Sequence, residues 1–122
     1  MLFRSNYAPK LEYTDILTRD DAVLPTVDLY MAGFPCQPFS EAGGRLGMAD
    51  PRAAPFLKIT PYIRTTTPNI FPLENVPGLA SIAGGSALRK LLSDVSCPGQ
   101  YAVKHAVLDA SKFGSHQHRP RI

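Results

Sequence analysis

Three groups of residues have types and settings that could do chemistry: Cys36, Glu74, and the pair Arg119 and Arg121. Cys36 lies in Gly33-Phe34-Pro35-Cys36-Gln37-Pro38-Phe39-Ser40, just past an apolar run and at the start of a proline-bounded loop. Open α/β sheets take ligands at the carboxyl ends of their strands, so a thiol there would face a crevice. Its thiolate would be a nucleophile. Free cysteine is also a small hydrophobe that packs well, and position alone leaves both uses open. Glu74, in Leu73-Glu74-Asn75-Val76-Pro77-Gly78-Leu79, ends a second apolar segment before a Pro-Gly turn. A carboxyl sheltered by apolar walls can hold or give a proton near neutrality. Taken singly, it reads better as a cap on the turn that follows. In Gln117-His118-Arg119-Pro120-Arg121, alternation along an extended segment puts Arg119 and Arg121 on one face. Two guanidinium groups so placed suit a phosphate or a carbonyl oxygen, although an isolated Arg-x-Arg can also be a solvated basic tail.

These residues need strand ends and loops to present them. Val27 to Phe34 is apolar and rich in strand formers, which predicts a strand covered on both faces. Pro35 stops it, and residues 35–51 form a long loop containing Gly43, Gly44 and Gly47. Tyr13 to Leu17 reads as a short strand ending in an acidic turn. Ala53 to Arg64 reads as a helix that tolerates Pro55 in its first turn and is kinked or ended by Pro61. Asn69 to Asn75 is a short strand whose Pro72 argues against a regular central position. Ser86 to Val95 is the clearest helix, with Ser86 as cap and Leu88, Leu91, Leu92 and Val95 on one face. After the turn at Pro98-Gly99, Tyr101 to Leu108 resembles a strand, and Asp109 to Arg121 reads as polar loop. Alternating strands and helices predict βαβ units, with four or five strands in a mostly parallel sheet flanked by helices.

At 122 residues the chain suits one small domain, and an apolar fraction of 44% allows it a core. No stretch approaches the ~20 apolar residues of a membrane span. The N-terminus lacks the features of a signal peptide, so an intracellular setting is expected. A net charge of +3 is compatible with a polyanionic partner. Cys36 and Cys97 are too few for a disulfide framework. His105, His116 and His118 lack the companion ligands of a zinc site, so no metal is expected. The abrupt end at Arg121-Ile122 reads as a truncation.

Taken in order, PCQPFS, ENVPGL and Q-x-R-x-R resemble the DNA (cytosine-5) methyltransferase family. Cys36 and Glu74 are 38 residues apart and Glu74 and Arg121 are 47 apart, separations similar to the family's. The resemblance begins near Tyr13 and includes Asp15-Ile16, Asp50-Pro51-Arg52 and the stretch from Leu108 to Gly114. It implies a Rossmann-like fold and methyl transfer from S-adenosylmethionine to carbon 5 of cytosine in DNA. By the same resemblance Cys36 is the nucleophile, Glu74 holds a proton at ring nitrogen 3, and Arg121 binds the carbonyl oxygen at carbon 2, supported by Arg119. Asp15, Ile16 and Pro35 fall to the cofactor, and Gln37, Ser40, Arg45, Asn75 and Gln117 to the DNA side. Asn75 would also position backbone. Residues 40–48 would close on a flipped base, with glycine hinges and the charge of Arg45. The full-length enzyme would be a monomer without metal.

The family's glycine-rich cofactor loop and target-recognition domain have no counterpart in the sequence, so residues 1–122 read as a partial catalytic domain. Ala53, Pro55, Pro72 and His116 depart from the family pattern. Two alternatives stay open: a non-catalytic remnant of such an enzyme, and a member of the branch that acts on transfer RNA.

Overall fold

The computed structural model describes residue 6 and residues 8–35, 53–97 and 99–122; the side chain of residue 83 is likewise outside the description. The elements are β1 (Ala32–Gly33), α1 (Ala54–Thr66), β2 (Leu73–Glu74), α2 (Gly78–Ser81), α3 (Ser86–Ser96), β3 (Leu108–Asp109) and β4 (Pro120–Arg121). Three single-turn 3-10 helices join them: Asp21–Val23, Ile82–Gly85 and Ala110–Phe113. The architecture is α/β. β1 and β2 pair in parallel, whereas β3 and β4 form a separate antiparallel pair, which corrects the expectation of one mostly parallel sheet.

The parallel pair begins upstream of its regular part. Ile70 donates to the Asp28 carbonyl at 3.0 Å, and Tyr30 donates back to Ile70 at 3.0 Å. Two residues on, Ala32 donates to the Pro72 carbonyl at 3.2 Å. Pro72 has no N–H to complete that rung toward Tyr30, so the ladder is interrupted there and resumes with Ala32 opposite Leu73 and Gly33 opposite Glu74. Among the described residues, only one face of this unit is covered. Tyr30, Ala32 and Phe34 pack toward the core, while Leu29 is 51% and Met31 69% exposed. Coverage of both faces was expected, but the described helices supply apolar surface to one side only.

α1 forms despite two prolines. Pro55 occupies its first turn, where no intrahelical N–H is needed. Pro61 lies inside the helix without ending it, contrary to one reading of the sequence. The carbonyl left without its bond is that of Leu57, and both residues lie on the exposed face, where water can replace the bond. Phe56, Ile59, Ile63 and Thr66 recur at helical spacing on the buried face. The helix ends at Thr67, in the left-handed region at φ 45°, whose N–H reaches the Ile63 carbonyl. Tyr62 also holds the N-terminal segment: its hydroxyl donates to Pro25, and its ring lies 4.6 Å from that of Tyr30 and 5.1 Å from the Arg19 guanidinium.

α3 presents Leu88, Leu91 and Val95 to the same core, with Leu92 half-buried beside them. Its N-cap is Gly85 rather than the expected Ser86, which is the first helical residue. Gly85 has φ 78°, and a Cβ there would lie 2.8 Å from the Ala80 carbonyl oxygen. No larger residue fits that turn. The shared core joins Ile59 and Ile63 of α1, Leu79 of α2, Leu91 and Val95 of α3, and Phe34 beyond β1. Each large side chain buried there is worth roughly 1.5–3 kcal/mol.

Three further expectations are corrected. Residues 13–17 form no strand; Asp15 makes a turn, its Oδ1 accepting from Leu17 N–H at 2.8 Å and its carbonyl from Arg19 N–H at 3.2 Å. Residues 101–107 are in no ladder. Tyr101 and Val103 turn inward and Ala102 and Lys104 outward, the alternation of a strand without a pairing partner among the described residues. The segment is held instead by Tyr101, whose hydroxyl donates to Pro68 and whose ring meets Phe71 edge-on at 4.8 Å. Residues 109–121, expected as loop, begin and end in the β3–β4 pair and include a 3-10 turn. Among the described residues no helix is long and apolar enough to cross a membrane.

Candidate functional site

The parallel register places Gly33 directly opposite Glu74, so both strands end together at one edge of the sheet. A cavity of about 370 Å³ opens at that edge. Gly33, Phe34 and Pro35 form one side and Glu74 and Asn75 another, and Arg119 and Arg121 close it from the C-terminal segment. The strand end at Gly33, Phe34 and Pro35, the residue Glu74, and the pair Arg119 and Arg121, far apart in sequence, converge here.

Glu74 and Arg121 form an ion pair, Arg121 Nε to Glu74 Oε1, at 2.5 Å. A second nitrogen of Arg121, Nη1, donates to the Pro120 carbonyl at 2.8 Å, which turns the guanidinium toward Glu74. The Glu74 side chain is 53% exposed. Apolar shelter, the condition under which its proton chemistry was expected, is therefore not its setting; its neighbour is a positive charge in a half-open cavity. Glu74 approaches β1 closely at Gly33. A Cβ on Gly33 would stand 3.1 Å from Glu74 Oε2.

Asn75 is 2% exposed and fastens three parts of the wall. Its Nδ2 donates to the Phe34 carbonyl at 3.1 Å, and its Oδ1 accepts from Val76 N–H at 2.9 Å. Its own N–H and carbonyl exchange bonds with those of Ile122, both at 2.9 Å. The residue assigned to the DNA side is thus buried, and its observed work is to hold backbone.

Cys36, Gln37, Ser40 and Arg45 lie outside the described residues, as do Gly43, Gly44, Gly47 and the segment 50–52. Pro35, half-buried on the cavity wall, is the last described residue before Cys36. Asp15 is exposed and Ile16 half-buried on the turn before Arg19, and neither lines the cavity. Gln117 is exposed, its N–H donating to Ser115 Oγ at 3.1 Å, and it too stands off the wall. Among the described residues no three His, Cys, Asp or Glu side chains gather as a metal site would require. A second cavity, about 230 Å³, lies over the apolar side between β2 and α3. Leu73, Leu88, Leu91 and Val95 dominate its wall, and it has no comparable convergence of charged groups.

One buried polar residue at this edge was not singled out from the sequence. Asp109 is 8% exposed and accepts from Ser111 N–H, Ser111 Oγ and Arg119 N–H through a single oxygen, Oδ1. These bonds hold its carboxyl below the usual range: those from the Ser111 and Arg119 backbone count most, with the Ser111 hydroxyl and His118 adding to them against the effect of burial. Asp109 followed by Ser111 was a legible turn signal; the bond to Arg119, ten residues on, was not.

A family model described as C-5 cytosine-specific DNA methylase matches residues 1–122. The chain belongs to that family. Among its curated relatives, it is 37% identical over 120 residues to the Type II methyltransferase M.BsuFI of Bacillus subtilis, covering 98% of this chain and 29% of the relative. It is 36% identical over 128 residues to the Type II methyltransferase M.NgoBV of Neisseria gonorrhoeae, covering 99% and 30%. To M.MspI of Moraxella it is 40% identical over 111 residues, covering 90% and 26%. The chain thus spans about three tenths of the length of the first two of these relatives, which match nearly all of it.

Proposed function

We propose that residues 1–122 are a partial catalytic domain of a Rossmann-like cytosine-5 methyltransferase, and that the cavity between β1, β2 and β4 receives a cytosine flipped out of DNA inside the cell. The observation that carries this reading is the convergence of Glu74, Arg119 and Arg121 at the strand edge from which the chain runs into Cys36.

In this reading the Cys36 thiolate forms a bond to carbon 6 of the ring. The carbon 5–carbon 6 π pair moves to carbon 5, which becomes the nucleophile. Glu74 holds a proton at ring nitrogen 3, so negative charge does not accumulate on the base. The exposed pairing of Glu74 with Arg121 suits a group that exchanges partners when a base enters. Arg121 would take the carbonyl oxygen at carbon 2, and Arg119 would support it against the neighbouring phosphate. Asp15 and Ile16 would hold the adenine end of S-adenosylmethionine, because an exposed carboxylate beside a half-buried aliphatic side chain matches an amine on an aromatic ring. Pro35 would meet its other end. When bound, S-adenosylmethionine supplies the methyl group to carbon 5. Loss of the carbon 5 proton then restores the double bond and expels Cys36. Gln37, Ser40, Arg45 and Gln117 would contact the DNA around the flipped base.

The test uses an oligonucleotide carrying 5-fluorocytosine and a longer enzyme in which this chain is completed by the remaining segments of one of its relatives. Fluorine at carbon 5 cannot leave as a proton does, so the covalent adduct accumulates. Wild type and Cys97→Ser should trap it and Cys36→Ser should not. Trapping by Cys36→Ser would overturn the assignment.

A further inference from the structure

Arg119 and Arg121 reach the cavity on a segment with little apolar support. Every side chain from Ser111 to Arg119 is exposed, so burial cannot fix the path of that loop. β3 and β4 are only two residues each, with Leu108 opposite Arg121 and Asp109 opposite Pro120. The loop is closed by the backbone bond from Ala110 N–H to the Arg119 carbonyl at 3.4 Å and by the Asp109 carboxylate. Its Oδ1 accepts from Ser111 N–H at 3.0 Å and Ser111 Oγ at 2.9 Å at one end, and from Arg119 N–H at 3.0 Å at the other. Its Oδ2 pairs with His118 Nδ1 at 2.5 Å, and His118 itself is 82% exposed. A residue that merely capped the turn at 110–113 would need only the Ser111 bonds. The bond to Arg119 and the pair with His118 lie outside that turn, and they tie the carboxylate to the residue two before Arg121.

We propose that Asp109 is a positioning residue for this cavity. By accepting from both ends of the loop, it sets where Arg119 stands and where Arg121 meets Glu74. It touches no reacting atom. The inference rests on the methyltransferase reading for what the cavity does, but not for its geometry. What matters is a fixed acceptor at Oδ1. An asparagine amide oxygen supplies that acceptor at the same reach, alanine supplies none, and glutamate carries it one methylene too far.

The 122-residue chain labelled with ¹⁵N gives the first test, with the Arg121 Nε resonance reporting the pair with Glu74 and Glu74→Gln fixing the unpaired position. Core methyl signals from Ile63 and Val95 report the fold. In Asp109→Ala the Arg121 signal should move toward its position in Glu74→Gln while the core signals stay; in Asp109→Asn it should remain near wild type. If Asp109→Ala does not fold, Asp109→Glu decides: its charge is retained, and the Arg121 signal should still move. An Arg121 signal unmoved by Asp109→Ala or Asp109→Glu overturns the proposal, as does displacement by Asp109→Asn as large as by Asp109→Ala. The second test is the rate of 5-fluorocytosine trapping in the longer enzyme. A misplacement of about 1 Å costs on the order of 10²-fold, so Asp109→Ala should slow trapping to that extent and Asp109→Asn should restore most of it. If wild type fails to trap, the methyltransferase reading falls, while the resonance test still decides the role of Asp109.

Discussion

On the β2 side of the cavity, Glu74 is carried by a parallel ladder backed by Phe34, Ile59, Ile63 and Leu79; on the β4 side, Arg121 is carried by a loop of exposed side chains held by the Asp109 carboxylate and a few backbone bonds. The first half is fixed by apolar burial, which is large and insensitive to the detail of any one contact. The second is fixed by a few hydrogen bonds, each worth about 1 kcal/mol net but directional. A carboxylate carried by a firmly packed strand and facing a cation on a less strongly held segment is an arrangement in which the cation can adjust to an entering base while the strand that carries the proton carrier stays in place.

The largest expected effect falls on the fixed side. Glu74→Gln keeps shape and removes both the charge facing Arg121 and the ability to share a proton with ring nitrogen 3. Methyl transfer by the longer enzyme should fall by about 10²- to 10⁴-fold, the usual span for one acid–base group. Single-turnover methylation of an oligonucleotide measures it, and a variant within threefold of wild type would remove Glu74 from the chemistry.

Stability should divide between the two halves in the same way. Ile63 is fully buried, so Ile63→Ala should cost about 2–5 kcal/mol through lost burial and the cavity left behind. Leu108, 56% exposed beside the clamp, should cost within about 0.5 kcal/mol when changed to alanine. Urea unfolding of the two variants compares them directly. Equal losses would mean that the C-terminal segment shares the core more fully than its exposure indicates.

A smaller effect is expected where the halves touch. The Cβ of Gly33→Ala would press on Glu74 Oε2, the end of a flexible and half-exposed side chain. Stability should therefore drop by no more than about 1 kcal/mol, at the mild end of overpacking. The Arg121 Nε resonance should nevertheless shift, because Glu74 cannot turn away without changing that pair. A loss of several kcal/mol with an unmoved resonance would mean that the backbone, rather than Glu74, yields.

What could be read from the sequence follows the same division. α1, α3 and the two strand ends were legible because apolar periodicity reports burial, and burial built them. The meeting of Glu74 with Arg119 and Arg121 followed from strand-end placement and from alternation in Arg119-Pro120-Arg121. The errors arose where a second partner decides the outcome. Among the described residues, 101–107 alternate like a strand but find no ladder, and the ladder within Val27 to Phe34 has one covered face where its composition suggested two. Pro61 survives within α1 because its unpaired carbonyl is that of a residue on the exposed face. Ser86 was the better cap by type, but the close approach of the Ala80 carbonyl requires Gly85 to take that place. Asp109 was passed over inside a polar stretch, since no local pattern announces a bond to a residue ten positions away.

The smallest expected effect is the pH dependence of the clamp. Backbone N–H bonds from Ser111 and Arg119 keep the Asp109 carboxyl below its ordinary value of 3.8. A group whose folded value is depressed binds its proton more readily in the unfolded chain, so its contribution is complete above about 3.8 and is lost as pH falls through the lower folded value. Asparagine at 109 keeps the acceptor but cannot titrate, which makes Asp109→Asn the reference that cancels every other carboxylate. The difference between the urea midpoints of wild type and Asp109→Asn should stay constant from pH 7 to 5, then shrink below about 3.8. A difference that persists undiminished to pH 2 would mean that the ionisation of Asp109 contributes nothing to the clamp.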